Sequence, residues 1–405
     1  MTNPVIITIC VLLLLAYIFD LSAAKTKIPS VILLLALGWI FRQGTMLLEI
    51  PIPNLNSILP ILGTVGLILI VMEGSLELEL NREKLPLVGK ATIIATVPMI
   101  LFSFGLAWAF SYYGLVSMKI ALASAIPLAI ISSAIAIPSA HHLPAREKEF
   151  VTYESSISDI IGVILFNFIT LNETIGVHSF VEFTWELVVM LIVSALATAG
   201  LAFLLNKIKH HVKFVPIILA VVLIYTIAKT YHLPSLLFIL LFGLFLGNLN
   251  HWQSVPFIHR LHPETLDREV DKFKELTTEI AFLIRALFFL LFGFLIETRE
   301  LLNPDTIVWA LAICAGIYVI RFVFLKLFRM PGKPLLFLAP RGLITILLFL
   351  SIPAGQMIPL ANKSLIIQVI ILNALIMMFG LMTYRTQPEQ ELQAKPAGEP
   401  LPAQD

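Results

Sequence analysis

Apolar residues dominate the chain and are interrupted by short clusters of Gly, Pro and charge. Runs of roughly 18 or more apolar residues predict membrane-spanning helices. Thirteen spans are expected, at 4–23, 28–48, 57–75, 91–113, 117–141, 150–172, 184–206, 213–230, 234–249, 277–298, 306–328, 334–356 and 364–384. The first run, VIITICVLLLLAYIFDLSAA, follows MTNP, which carries no positive charge, and it is long for a signal h-region. It is expected to be a retained helix. The stretch 251–276 is mixed in charge and reads as an interfacial helix rather than a domain. Residues 386–405 are rich in Pro, Glu and Gln and should be disordered. The expected organisation is therefore one transmembrane domain, 1–385, with a short cytoplasmic tail.

Two spans depart from simple apolar helices. Span five has Pro127 and Pro138 around the pair Ser132–Ser133, and span twelve has Pro340, Arg341, Gly342 and Pro353. They lie seven spans apart, and an odd offset gives the two halves opposite topology. Corresponding interrupted helices in inverted halves point to the substrate site of a secondary transporter. The plainer alternative is that Pro and Gly merely kink ordinary membrane helices.

Span six opens with VTYESSISD. On a helix Glu154 and Ser158 share one face, while Ser155 and Asp159 share the neighbouring one. Glu154 and Asp159 diverge by about 140° around the axis, so different partners are expected for them. Burial penalises the charged form of a lone carboxylate. Such a group can take a proton or, beside hydroxyls and carbonyls, a small hard cation. It cannot comfortably hold both, which is the physical core of cation–proton exchange. Three basic residues, Arg285, Arg321 and Arg341, fall within spans ten to twelve, and Glu73 falls within span three. Charges at that depth are costly and are usually paired or functional. Arg341, in the broken span, is the expected partner of Glu154. Arg321 and Arg285 read either as core charges or as anchors snorkelling to the interface. For Asp159 the bland reading is a cap on the first turn of span six or a satisfied core acid.

Composition narrows the class. Hydrophobic residues make up 59% of the chain and charged residues 13%, with a mean hydropathy of +0.95. Soluble domains are about 25% charged, so this is a polytopic membrane protein. Sorting Lys and Arg by loop gives nineteen inside and five outside when the N-terminus is outside, a strong positive-inside bias. The C-terminus is then cytoplasmic, and a cell (inner) membrane location is expected. A net charge of +1 argues against a nucleic-acid partner. Cys10 and Cys314 lie inside apolar runs, which argues against a disulfide framework. His251, His259 and His262 lack metal-site spacing. His141, His142, His210 and His211 read as solvated loop residues rather than pH sensors. No phosphate-cradling glycine loop is present, so ion gradients must supply the driving force and no cofactor is expected.

LPAREKEFVTYESSISD resembles the loop and helix start of NhaP-type and NHE-type sodium/proton exchangers, in the cation:proton antiporter superfamily. LILIVMEGSLELEL is similar to that family's third helix, IYVIRFVFL to its arginine-bearing eleventh, and LAPRGLITI to its Leu-Arg-Gly helix. The resemblance covers residues 1 to 385. It implies an all-α fold of two inverted repeats with crossed discontinuous helices, and a homodimer in lipid. Spans four to six and eleven to thirteen would move as a core against a dimerisation scaffold. It also implies that Asp159 carries the cation and the proton, with Ser158 in the place of the family's Asn. Glu154 and Arg341 would form a structural ion pair, and Ser132 and Ser133 would sit at the crossing, with Ser155 beside Asp159. ISSAIAI stands closer to the Ser-Ser-Thr of the Kef-like potassium branch, which leaves Na+, Li+ and K+ open. A single titratable acid at 158–159 suggests electroneutral one-for-one exchange.

Three rival classes have features to look for. A channel would present rings of polar groups or a filter sequence, and none is evident. A sodium-coupled organic-anion symporter on a related fold would use Arg341 to bind the anion. A membrane enzyme would need a nucleophile–base pair or a metal cluster, and neither is visible.

Overall fold

A computed structural model describes residues 2–26, 28–49, 58–78, 83–141, 143–172, 176–207, 214–231, 233–249 and 263–384. Among them the regular structure is all helical. The elements are α1 (Thr2–Thr26), α2 (Ser30–Leu47), α3 (Ile58–Glu77), α4 (Leu85–Gly114), α5 (Met118–Ala129), α6 (Ser133–Ser139), α7 (Ala145–Leu171) and α8 (Val177–Lys207). They continue with α9 (Phe214–Thr230), α10 (Ser235–Gly247), α11 (Pro263–Leu295), α12 (Thr298–Leu301), α13 (Pro304–Leu327), α14 (Leu343–Leu350), a 3-10 turn (Ala354–Gln356) and α15 (Lys363–Thr383). Nine of the described helical stretches are long and apolar enough to cross a membrane, and three shorter apolar helices accompany them.

Two elements differ from expectation. The stretch expected to be an interfacial helix is, from residue 263 onward, continuous with span ten as the single helix α11. Nothing between Glu264 and Phe292 breaks it: that stretch holds neither Pro nor Gly, so helix periodicity carries straight from the charged start into the apolar run. Residues 251–262, including the three histidines, and the tail 386–405 lie outside the described residues, as do His142, His210 and His211. Within span twelve the α-helix is confined to α14, with the 3-10 turn after it. The first part of the span is a turn at 333–337 followed by irregular, non-helical chain at 338–342. Pro340 has no N–H to donate to a helix and pushes the residue before it out of the helical region.

Packing runs through small residues. Helix α2 lies against α11, α3 lies against both α10 and α11, and α7 packs on α4, α5 and α6. At the α2–α11 contact Gly38 and Gly293 face each other's backbones. A Cβ on Gly38 would overlap the carbonyl of Leu290, and one on Gly293 the carbonyl of Leu35. Lipid tails are as apolar as leucine, so close backbone approach of this kind, and not apolar burial, holds membrane helices together. Gly293→Val is expected to cost about 1–3 kcal/mol or more through overpacking, seen as a clear fall in melting temperature in detergent. An unchanged melt would mean that the two helices are not pressed together.

Candidate ion site at the helix crossing

The two interruptions meet. Ser132 N, in the break between α5 and α6, donates to Pro340 O at 2.9 Å, tying the two non-helical stretches together. A broken helix leaves backbone carbonyls at one stump and N–H groups at the other without intrahelical partners. Here charged side chains supply the partners. Arg341 Nε donates to Leu128 O at 3.0 Å, Nη2 to Ala129 O at 3.0 Å and Nη1 to Ala339 O at 2.5 Å. The guanidinium therefore caps the C-terminal, partially negative end of α5. On the facing stump Ser133 N donates to Asp159 Oδ2 at 3.2 Å, and the Ser133 hydroxyl donates to the same oxygen.

The expected pairing of Glu154 with Arg341 is corrected by this arrangement. Glu154 instead pairs with Arg321 of α13, through Nη1–Oε1 at 2.5 Å and Nη2–Oε2 at 2.9 Å. Arg321 Nε also donates to Leu335 O at 2.8 Å, and both side chains are buried. The reason is one of supply. The carbonyls at the α5 stump and in the 338–342 stretch engage all three nitrogens of Arg341, while Arg321 stands on a regular helix whose own backbone needs none. Arg321 is thus a core charge rather than a snorkelling anchor. Arg285 is also held inside the protein, 3.7 Å from Glu73.

Asp159 lies in the middle of α7, so it does not cap that helix. The divergence from Glu154 expected on helical geometry is realised: Glu154 faces α13 and Asp159 faces the start of α6. Oδ1 of Asp159 is buried and has no hydrogen-bond partner, and the hydroxyls of Ser132 and Ser155 are likewise buried without one. No cationic side chain among the described residues pairs with Asp159. Ser158 is differently placed: its hydroxyl accepts from Ile131 N at 3.0 Å and donates to Met99 Sδ at 3.9 Å. It holds the extended segment in place, and Met99 was not singled out by sequence reasoning because its contact crosses from α4.

A cavity of about 620 Å³ lies between α1, α2, α3 and α11 on one side and α6 and α15 on the other. Asp20, Glu73, Glu279 and Arg285 line it, and Ile135, two residues beyond Ser133, lies at its wall. Among the described residues no group of three or more His, Cys, Asp or Glu side chains could hold a metal ion.

A family model described as sodium/hydrogen exchanger, transmembrane, matches residues 10–384. Two solved structures of MjNhaP1, a sodium proton antiporter from Methanocaldococcus jannaschii, have the same fold. One, at pH 8, superposes with a TM-score of 0.66 at 18% identity, covering 96% of each chain. The other, from an electron microscopy map, gives 0.67 at 17% identity over 94% of each chain. No curated protein sequence matches significantly.

Proposed function

The chain belongs to the sodium/hydrogen exchanger family of membrane transporters, and from that premise we propose that it exchanges Na+, Li+ or K+ for H+ one for one, with Asp159 as the shared carrier. The observation that carries this reading is the unpartnered Oδ1 of Asp159, together with the unpartnered hydroxyls of Ser132, next to Ser133 in the chain, and of Ser155, one turn before Asp159 on α7. All three are buried oxygens with acceptor capacity, the donor set a small hard cation needs. Ser133 holds the other carboxylate oxygen, so Oδ1 is left to take either the cation or the proton. Neither can bind while the other does.

Charge counting supports the stoichiometry. Glu154 pairs with Arg321, and Arg341 is held by backbone carbonyls, so only Asp159 changes its charge during the cycle. Loading Asp159 with H+ or with a monovalent cation adds the same single charge. The two loaded forms are then electrically equivalent, and a cycle that passes through both moves no net charge. Moving the site unloaded would drag a bare carboxylate past apolar surfaces at a high desolvation cost, which couples the two fluxes.

In this reading α4–α7 and α13–α15 move as a unit between faces, against a scaffold of α1–α3 and α8–α11 that also forms a homodimer. The N-terminus is outside and the C-terminus cytoplasmic, in a cell membrane, in line with the loop-charge bias. The cavity beside Asp20 and Glu73 then opens to the cytoplasm. The test is a pH-gradient assay in proteoliposomes with Na+, Li+ and K+ in turn, run with and without a clamped membrane potential. Proton movement driven by at least one of these cations and indifferent to voltage is expected. A rate that follows the potential would rule out one-for-one exchange.

A further inference from the structure

Resting on the exchange reading, we propose that the Ser156 hydroxyl is a transient ligand for the cation on its way between the cavity and Asp159. Ser156 is 1% exposed and its hydroxyl has no hydrogen-bond partner, an unusual condition for a buried polar group. It lies three residues before Asp159, one turn along α7 on the neighbouring face. A serine hydroxyl that only filled space inside a helix could turn back to the carbonyl four residues earlier, as Thr152 does to Lys148 O at 3.0 Å. Ser156 does not.

The hydroxyl points at the seam where three helices meet. A Cβ placed on Gly74 of α3 would lie 3.2 Å from Ser156 Oγ and 3.2 Å from Ile137 Cδ1 of α6. Glu73, next to Gly74, lines the cavity, as do Ile135 and Pro138 on either side of Ile137. The seam of Gly74, Ile137 and Ser156 thus adjoins, along the chain, cavity-lining residues of α3 and α6 and, one turn on, Asp159 of α7. Ile137 and the bare Gly74 present no side-chain oxygen, so Ser156 alone of the three side chains can replace part of the cation's hydration shell as it passes. A side chain at Gly74 would press on the Ser156 hydroxyl, and its absence leaves that hydroxyl uncovered on the α3 side.

A passage ligand and a resting ligand differ in what they change. Stabilising the ion only in transit speeds loading and unloading alike and leaves equilibrium affinity untouched. Ser156→Ala removes a hydroxyl that bonds nothing, so a purely structural serine predicts unchanged or slightly raised melting temperature and unchanged transport. The experiment measures cation-driven proton movement in proteoliposomes, cation affinity by concentration-dependent thermal stabilisation in detergent, and the melting temperature itself. Expected for Ser156→Ala are a roughly tenfold lower kcat/KM, the loss that one contact to a charged group commands, with unaltered cation affinity and no loss in melting temperature. Ser156→Cys, which keeps the shape and offers a soft atom, should be impaired for Na+ and Li+ as well. Wild-type kcat/KM in Ser156→Ala overturns the proposal, and so does a fall in affinity matching the fall in kcat/KM, since that makes Ser156 a ligand of the resting site. Asp159→Asn, run alongside, distinguishes the two readings. Exchange that survives in Asp159→Asn sinks the carrier assignment, whereas exchange lost there but intact in Ser156→Ala sinks only the passage ligand.

Discussion

Asp159→Asn is expected to reduce cation-driven proton movement to the level of protein-free liposomes while the purified protein melts no lower than the wild type. The amide oxygen can still accept from Ser133 N and from its hydroxyl, so the contact between α7 and the α6 stump survives. What is lost is the ability to take up a proton and the charge that balances a bound cation. Stability should not fall, because the wild-type carboxylate is buried without a cationic partner and an ion in that position carries several kcal/mol of desolvation. Reconstitution with a pH-sensitive dye and a melting curve in detergent supply both readouts. Substantial exchange in the variant would sink the assignment of Asp159 as carrier, and collapse of the fold would show that the residue is structural.

The second large effect concerns the buried pair of Glu154 and Arg321. Removing one partner leaves the other charge uncompensated, at about 3–5 kcal/mol, whereas replacing both with neutral groups of similar size is often close to harmless. Glu154→Gln and Arg321→Met are therefore each expected to lower the yield of folded protein and the melting temperature sharply. The double variant should recover most of the loss. Combining Glu154→Gln with Arg341→Met should give no recovery, since Arg341 serves the carbonyls of Leu128, Ala129 and Ala339 and losing it strands three acceptors. Recovery by the Arg341 combination and none by the Arg321 combination would reverse the pairing described above.

That contrast marks where sequence reasoning stops. Helix positions are legible because the bilayer demands long apolar runs, and the two breaks are legible because Pro127, Pro138, Pro340 and Gly342 disrupt otherwise regular spans. The separation of Glu154 from Asp159 is legible because helical geometry alone sets their directions. The identity of the arginine facing Glu154 is not, since Arg321 and Arg341 both lie at membrane depth and only the packing of α13 against its neighbours decides which one reaches. The non-helical backbone at 338–342 creates the demand for donors that occupies Arg341, and that demand is invisible before the chain is folded. Ser158 reads from its position beside Asp159 as an ion ligand, and the bond its hydroxyl also accepts from Ile131 N, across the break after α5, is not legible in the sequence. Ser156 looks like one serine among several, and only its unpartnered hydroxyl facing the glycine of α3 distinguishes it.

The single hydrogen bond from Ser132 N to Pro340 O has a consequence for how the protein works as a machine. With Arg341 spanning the same junction, it joins the two interrupted segments into one clasp, so neither can shift without the other. In the proposed exchange the oxygens around Asp159 would then travel as one set. On that proposal an ion would meet the same pocket whichever face is open, and equal intrinsic affinity on both sides of the membrane is expected. Such a device has no preferred direction of its own, and the sign of net flux belongs to the surrounding gradients rather than to the protein.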